Sequence, residues 1–149
     1  MNSKKIILLL LLVVSSAAAL QLYNLTAMAL WHDEAFSALL VRYDIKEMLY
    51  RIGLDVHPPL YYLLLKGWAA FLGNSLFALR LFSVFFGAMT VLAVYVFVME
   101  AFRSRKLAFF SSALLAANSF QIQYAMEARM YTLAAFLTVI SGYFLLKAL

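Results

Sequence analysis

The chain has 149 residues, 66% of them hydrophobic and 13% charged, with a net charge of +5 and a mean hydropathy of +0.91. Soluble domains sit near half apolar, so this excess, gathered in long runs, reads as an all-α integral membrane protein. Cysteine is absent, which excludes a disulfide framework and a thiolate metal site; the basic residues sit in short connectors, where they orient helices in a bilayer rather than bind nucleic acid.

The first apolar run, 6–27, follows Lys4 and Lys5. The lysines look like the start of a signal peptide, and Ala17-Ala18-Ala19 like a cleavage site. The run is long, however, and more apolar segments follow, so an uncleaved first span is expected. The positive-inside rule then places the N-terminus in the cytoplasm and the far end of the span outside. Next comes Trp31-His32-Asp33-Glu34, an acidic pair just beyond the hydrocarbon. As a plain structural feature the pair would cap a following helix and favour its first turn. Adjacent side chains on a helix do not face the same way, so only one of the two can readily enter a given pocket.

Residues 28–75 are expected to form the first outer loop. Phe36, Leu39, Leu40 and Tyr43 recur at helical spacing, as do Ile45, Met48, Leu49 and Ile52. The sequence therefore predicts two short amphipathic helices lying along the membrane, the second opened by a capping box of Asp44 and Glu47 and ended by Gly53. His57 precedes Pro58 and Pro59, which stiffen the backbone around it, and Pro59 can begin another helix. The segment 60–72 is apolar but short and carries Lys66, a poor combination for a crossing. If it did cross, the basic turn of Arg103, Arg105 and Lys106 would fall outside, against the positive-inside rule. Kept on the outer surface, it puts those three charges inside with Lys4 and Lys5.

Gly73-Asn74 then turns the chain into a second span, 76–99, with Arg80 close enough to its end to snorkel. A cytoplasmic loop at 100–106, a third span at 107–123, an outer turn at 124–129 and a fourth span at 130–148 complete the layout. The expected architecture is four transmembrane helices with membrane-parallel amphipathic helices in the first outer loop. Asp33, Glu34, His57 and Glu127 then share the outer face.

Glu127 and Arg129 sit in a turn beside the hydrocarbon edge, where ionisable groups are functional suspects. Glu127 and Tyr131 are spaced to share a helix face. A carboxylate there can act as a general base, and paired carboxylates can hold a divalent metal. Lys66, Arg80 and Arg129 can neutralise a phosphate. The implied substrate is anionic. No Gly-rich phosphate loop is present, which argues against ATP-driven chemistry. A transporter fragment would favour acids near the midplane, whereas these gather at the rim.

The ordered set Trp31-His-Asp-Glu34, His57-Pro-Pro-Leu-Tyr-Tyr-Leu-Leu-Leu-Lys66, Ala78-Leu-Arg-Leu-Phe-Ser83 with Gly87, and Gln123-Tyr-Ala-Met-Glu-Ala-Arg-Met-Tyr131 resembles the membrane glycosyltransferases of the GT-C superfamily. Within it, the bacterial branch related to protein O-mannosyltransferases and aminoarabinose transferases is the nearest likeness. The resemblance implies transfer of a sugar from a polyprenyl-phosphate-linked donor to a glycan, lipid or protein acceptor at the outer face of the membrane. It implies Asp33 as the general base, Glu34 as its support, and Glu127 as a second acidic site that helps bind a divalent metal or orients the acceptor. His57, Lys66, Arg80, Arg129 and Tyr131 would line the substrate site. It places the protein in the bacterial cytoplasmic membrane, multi-pass, with the active face periplasmic or extracellular.

Members of that superfamily are several times longer, so this chain is expected to be an N-terminal portion, completed by further spans or by a partner subunit. A small non-catalytic membrane subunit or scaffold is the rival expectation.

Overall fold

The computed structural model describes residues 3–23, 25–55 and 57–149. Asn24 of the expected first span, Val56 of the outer loop and the side chain of Lys4 lie outside the described residues. All regular structure among the described residues is helical: α1 (Ser3–Leu22), α2 (His32–Leu40), α3 (Ile45–Gly53), α4 (Pro59–Leu72), α5 (Leu76–Phe102), α6 (Arg105–Ala116), α7 (Ser119–Ala125) and α8 (Tyr131–Ala148).

Two of these are long and apolar enough to cross a membrane: α5, with 27 residues, and α8, with 18. The expected first and third spans look different. The helix α1 ends at Leu22, short of residue 27, and the carbonyls of the segment that follows are bonded elsewhere. The expected span 107–123 is divided between α6 and α7. Its break has a local cause: the Asn118 carboxamide oxygen accepts from the Gln121 N–H at 3.1 Å, an N-cap that starts a new helix rather than continuing the old one.

The other boundaries follow side-chain chemistry. Asp44 caps α3 by accepting from Glu47 N–H at 3.0 Å. The Glu47 carboxylate pairs with Arg51 at 2.8 Å, an i,i+4 contact within the same helix. Pro59 occupies the first turn of α4, where its missing N–H costs nothing. Gly73, at φ 83°, ends α4 in a conformation that suits a residue without Cβ. Ser75 and Ser104 cap α5 and α6.

The core lies where α2, α3 and α4 meet α5 and α8. Leu40, Met48, Ile52, Tyr62, Leu65 and Leu79 are all but fully buried in it. The helical spacing of Met48 and Ile52 buries one face of α3 while Tyr50 and Leu54 stay exposed. Aromatic edges continue the packing from α4 to α8: Tyr61 to Phe82 at 5.7 Å, Phe82 to Phe86 at 4.9 Å and Phe86 to Phe136 at 5.5 Å between ring centroids. Such contacts add to the area buried. The short helices α2, α3 and α4 are thereby fixed to the long helices, and the acids at the start of α2 are held with them.

Candidate functional site

Asp33 and Glu34 open α2, and consecutive helical residues point roughly 100° apart. They separate accordingly. Glu34 turns inward and its side chain is fully buried, against an Arg80 side chain that is 4% exposed. Arg80 Nε donates to Glu34 Oε1 at 2.8 Å and Nη2 to Oε2 at 2.6 Å. This is the two-pronged pairing that guanidinium geometry favours. The remaining Arg80 donors reach the carbonyls of Leu25 at 2.6 Å, Met28 at 2.9 Å and Ala29 at 3.4 Å. Glu34 Oε1 also accepts from Ala128 N–H at 2.8 Å. One buried ion pair thus ties together the segment after α1, the start of α2, α5 and the turn before α8.

Asp33 turns the other way, and its side chain is 56% exposed. Its carbonyl accepts from Arg129 Nη1 at 3.2 Å, and its Oδ2 lies 3.6 Å from Arg129 Nη2. The same Nη2 lies 3.1 Å from His57 Nε2. On the far side of the ring, His57 Nδ1 is 2.7 Å from Asp55 Oδ2. The order Asp55–His57–Arg129–Asp33 is therefore a continuous polar chain linking the loop before α4, the turn before α8 and the start of α2. Arg129 is buried, and its carbonyl accepts from Ser83 Oγ at 3.3 Å.

Beside this chain lies a cavity of about 690 Å3 with largely apolar walls, among them Leu25, Met28, Trp31, Ile122 and Met126. Its polar groups include the Glu34–Arg80 pair, Gln123 and Glu127. Burial pushes the Glu127 carboxyl above its ordinary range, and the nearby Glu34 charge adds to the shift; Arg129 and Arg80 act in the opposite direction. Burial likewise pushes the Tyr61 and Tyr62 phenols up, so both stay neutral beside Arg129.

The early acidic pair, His57 and the 127–129 turn are in direct contact. Other expected site residues are engaged differently. Lys66 Nζ donates to the carbonyls of Val41 at 3.0 Å and Tyr43 at 2.6 Å, holding the end of α2, where cations are favoured. Every N–H of the Arg80 guanidinium has a protein acceptor. Tyr131 packs on Tyr124 with ring centroids 4.7 Å apart and lies 6.0 Å from the Arg129 guanidinium; it lines a smaller pocket, not the one that holds Glu127. Arg129 Nε is buried without a hydrogen-bond partner among the described residues.

Asp55 was not among the candidates from sequence. Its signal is the spacing Asp-x-His, which places a carboxylate within reach of the ring it orients. Metal binding finds little support in the donor set. No group of three or more His, Asp or Glu able to hold an ion occurs among the described residues. Both Glu34 oxygens are already engaged, by Arg80 and Ala128, while hard divalent ions require several oxygen ligands.

The described residues form an all-helical structure with one buried ion pair, a carboxyl-bearing apolar cavity and two helices long and apolar enough for a bilayer, the build of a membrane protein. The chain belongs to the dolichyl-phosphate-mannose-protein mannosyltransferase family, whose sequence pattern matches residues 56–149. The matched part holds His57, Lys66, Arg80, Glu127, Arg129 and Tyr131; Asp33 and Glu34 precede it. No curated protein and no solved structure matches the chain.

Proposed function

We propose that this chain carries the acidic half of an active site that moves a sugar from a polyprenyl-phosphate carrier to an acceptor nucleophile at the outer face of a cell membrane. Asp33 is the general base. The observation that carries this reading is the exposed Asp33 carboxylate held beside Arg129 in the family-matched segment, while its neighbour Glu34 is sealed in an ion pair.

The chemistry needs no nucleotide, because a sugar on a polyprenyl phosphate is already activated. The acceptor's heteroatom attacks the anomeric carbon and its proton passes to the Asp33 carboxylate. The bond from that carbon to the phosphate oxygen breaks, and the phosphate leaves with the electron pair. The base and the departing phosphate occupy opposite sides of the sugar, and fixing them there supplies much of the acceleration. Glu34 and Arg80 hold the framework that presents Asp33. Arg129 lies on the base's side of the sugar, beside Asp33, and Glu127 in the apolar cavity orients the acceptor.

The test uses membranes carrying the full reading frame and radiolabelled mannosyl-phosphoryl polyprenol, with label counted in lipid, glycan and protein fractions. Asp33→Asn should lower transfer by about 100-fold or more, the scale of a lost general base, with expression and membrane insertion unchanged. Transfer at the parental rate by Asp33→Asn would remove the base and favour a non-catalytic subunit.

A further inference from the structure

The Asp55–His57–Arg129–Asp33 chain contains a choice of proton position that the geometry makes. A guanidinium has donors and no acceptor. Arg129 Nη2, 3.1 Å from His57 Nε2, therefore needs a lone pair on that nitrogen. The ring proton must sit on Nδ1, where Asp55 Oδ2 at 2.7 Å accepts it. His57 is thus a neutral imidazole with its hydrogen on Nδ1, oriented by a carboxylate on one side and used as an acceptor on the other.

This has a consequence for Asp33. Arg129 Nη2 faces two acceptors, the His57 lone pair at 3.1 Å and the Asp33 carboxylate at 3.6 Å. The first is a hydrogen bond; the second is an ion pair beyond hydrogen-bond reach. A carboxylate that takes a direct charge-assisted hydrogen bond becomes a weaker base. We propose that His57, oriented by Asp55, is a positioning residue that holds Arg129 off the Asp33 carboxylate and so preserves its basicity. This rests on Asp33 being the base.

Nη2 carries two hydrogens, so the His57 bond acts as a tether on the guanidinium; if His57 loses its lone pair, by protonation or by substitution, Arg129 is free to close the 3.6 Å gap to Asp33. The charged groups around the ring pull in opposite senses, the carboxylates attracting a cationic ring and the Arg129 guanidinium repelling it. Asp55 lies on its own loop, Arg129 and Glu127 on the turn before α8, Asp33 on α2 and the neutral phenol of Tyr62 on α4. A protonated His57 would place a second cation against Arg129, which would then move toward the remaining anion, Asp33.

The tautomer is tested directly by nitrogen NMR on the 15N-histidine-labelled chain in lipid nanodiscs. The sequence has 2 histidines, and His32→Gln assigns the signals. A neutral His57 with its hydrogen on Nδ1 is expected; a hydrogen on Nε2 would overturn the proposal. Function is tested in the transfer assay on the full reading frame. His57→Gln can place an acceptor oxygen near the Nε2 position but cannot protonate. It should keep kcat within about threefold and lose one ionisation from the acid limb of the pH–rate profile.

His57→Ala should lower kcat about tenfold at little change in KM, a larger loss than that of His57→Gln. It should have no further effect in an Arg129→Gln background. An unchanged kcat and pH profile in both His57 variants, with Asp33→Asn inactive, would refute the positioning role alone. An active Asp33→Asn would instead refute the base on which it stands.

Discussion

The Glu34–Arg80 pair offers the sharpest quantitative prediction, because two roles for Arg80 lead to opposite results. If Arg80 is a structural partner, Arg80→Met strands a carboxylate that has no exposed side-chain surface. Removing one member of a buried ion pair typically costs about 3–5 kcal/mol. The Leu25 carbonyl, on a residue only 2% exposed, loses its donor as well, whereas Met28 and Ala29 are exposed and rehydrate. The double variant Glu34→Leu/Arg80→Met leaves no stranded charge from this pair. Its main debt is the Ala128 N–H, on a residue with no exposed surface, at about 1–3 kcal/mol for an orphaned donor. The double variant should therefore be more stable than the single by about 2 kcal/mol. For a chain of this size that converts to a Tm loss of roughly 10 °C for Arg80→Met and about half of that for the double variant. Thermal unfolding in nanodiscs, followed by tryptophan fluorescence, reads both. If Arg80→Met keeps its Tm and raises KM for the polyprenyl-phosphate sugar, Arg80 serves the phosphate and the structural reasoning fails.

Other outcomes follow from the same contacts. Lys66→Met removes two charge-assisted bonds to the end of α2 and should cost about 1–3 kcal/mol, seen as protease nicking near residues 41–44, with donor KM unchanged. A Cβ at Gly87 would lie 3.0 Å from Gln21 Oε1 and 3.1 Å from Ala125 Cβ, so Gly87→Ala should destabilise by about 1–3 kcal/mol, read as a lower Tm. Glu127 has its pKa raised by burial, so the folded protein holds that proton more tightly than the unfolded chain. The resulting destabilisation is present above the raised value and disappears as pH falls through the ordinary glutamate range. Glu127→Gln should hence be the more stable protein at neutral pH, with the gap in Tm closing on acidification; a gap that widens would contradict the sign. With cysteine absent from the chain, single cysteines at the exposed positions Tyr50 and Arg103 report topology. An impermeant maleimide should label the first from outside and the second only from inside.

The parts of this fold that were legible in the sequence are those set by local chemistry. Apolar spacing placed α2 and α3, Asp44 and Pro59 marked two helix starts, and Gly73 marked a stop. The division between α6 and α7 also had a local signal, Asn118 three residues before Gln121. The length of the surrounding apolar run outweighed it, because hydropathy cannot distinguish one membrane-length helix from two short ones in line. The early end of α1 had no such signal. The carbonyls of Leu25, Met28 and Ala29 are taken by Arg80, more than fifty residues later in the chain, and no window along the sequence brings the two together.

The acidic pair shows where local reasoning stops. Helix geometry dictates that Asp33 and Glu34 diverge, but not which of them turns inward; that is decided by the position of Arg80 on α5. A buried carboxylate requires a buried cation, and once Arg80 is committed to Glu34, Asp33 is the acid left facing water. The remaining cation of the site, Arg129, lies 3.6 Å from Asp33 and is tethered by His57 at 3.1 Å, the contact on which the proposed positioning role rests. Burying one acid with one arginine and exposing the other beside a tethered one gives two adjacent carboxylates different duties. Exchanging them tests this division: Asp33→Glu lengthens an exposed side chain and should retain partial transfer, whereas Glu34→Asp draws a carboxylate back by one methylene from both Arg80 and Ala128 and should lower Tm first. If Glu34→Asp left stability intact and abolished transfer, Glu34 rather than Asp33 would be the reacting acid.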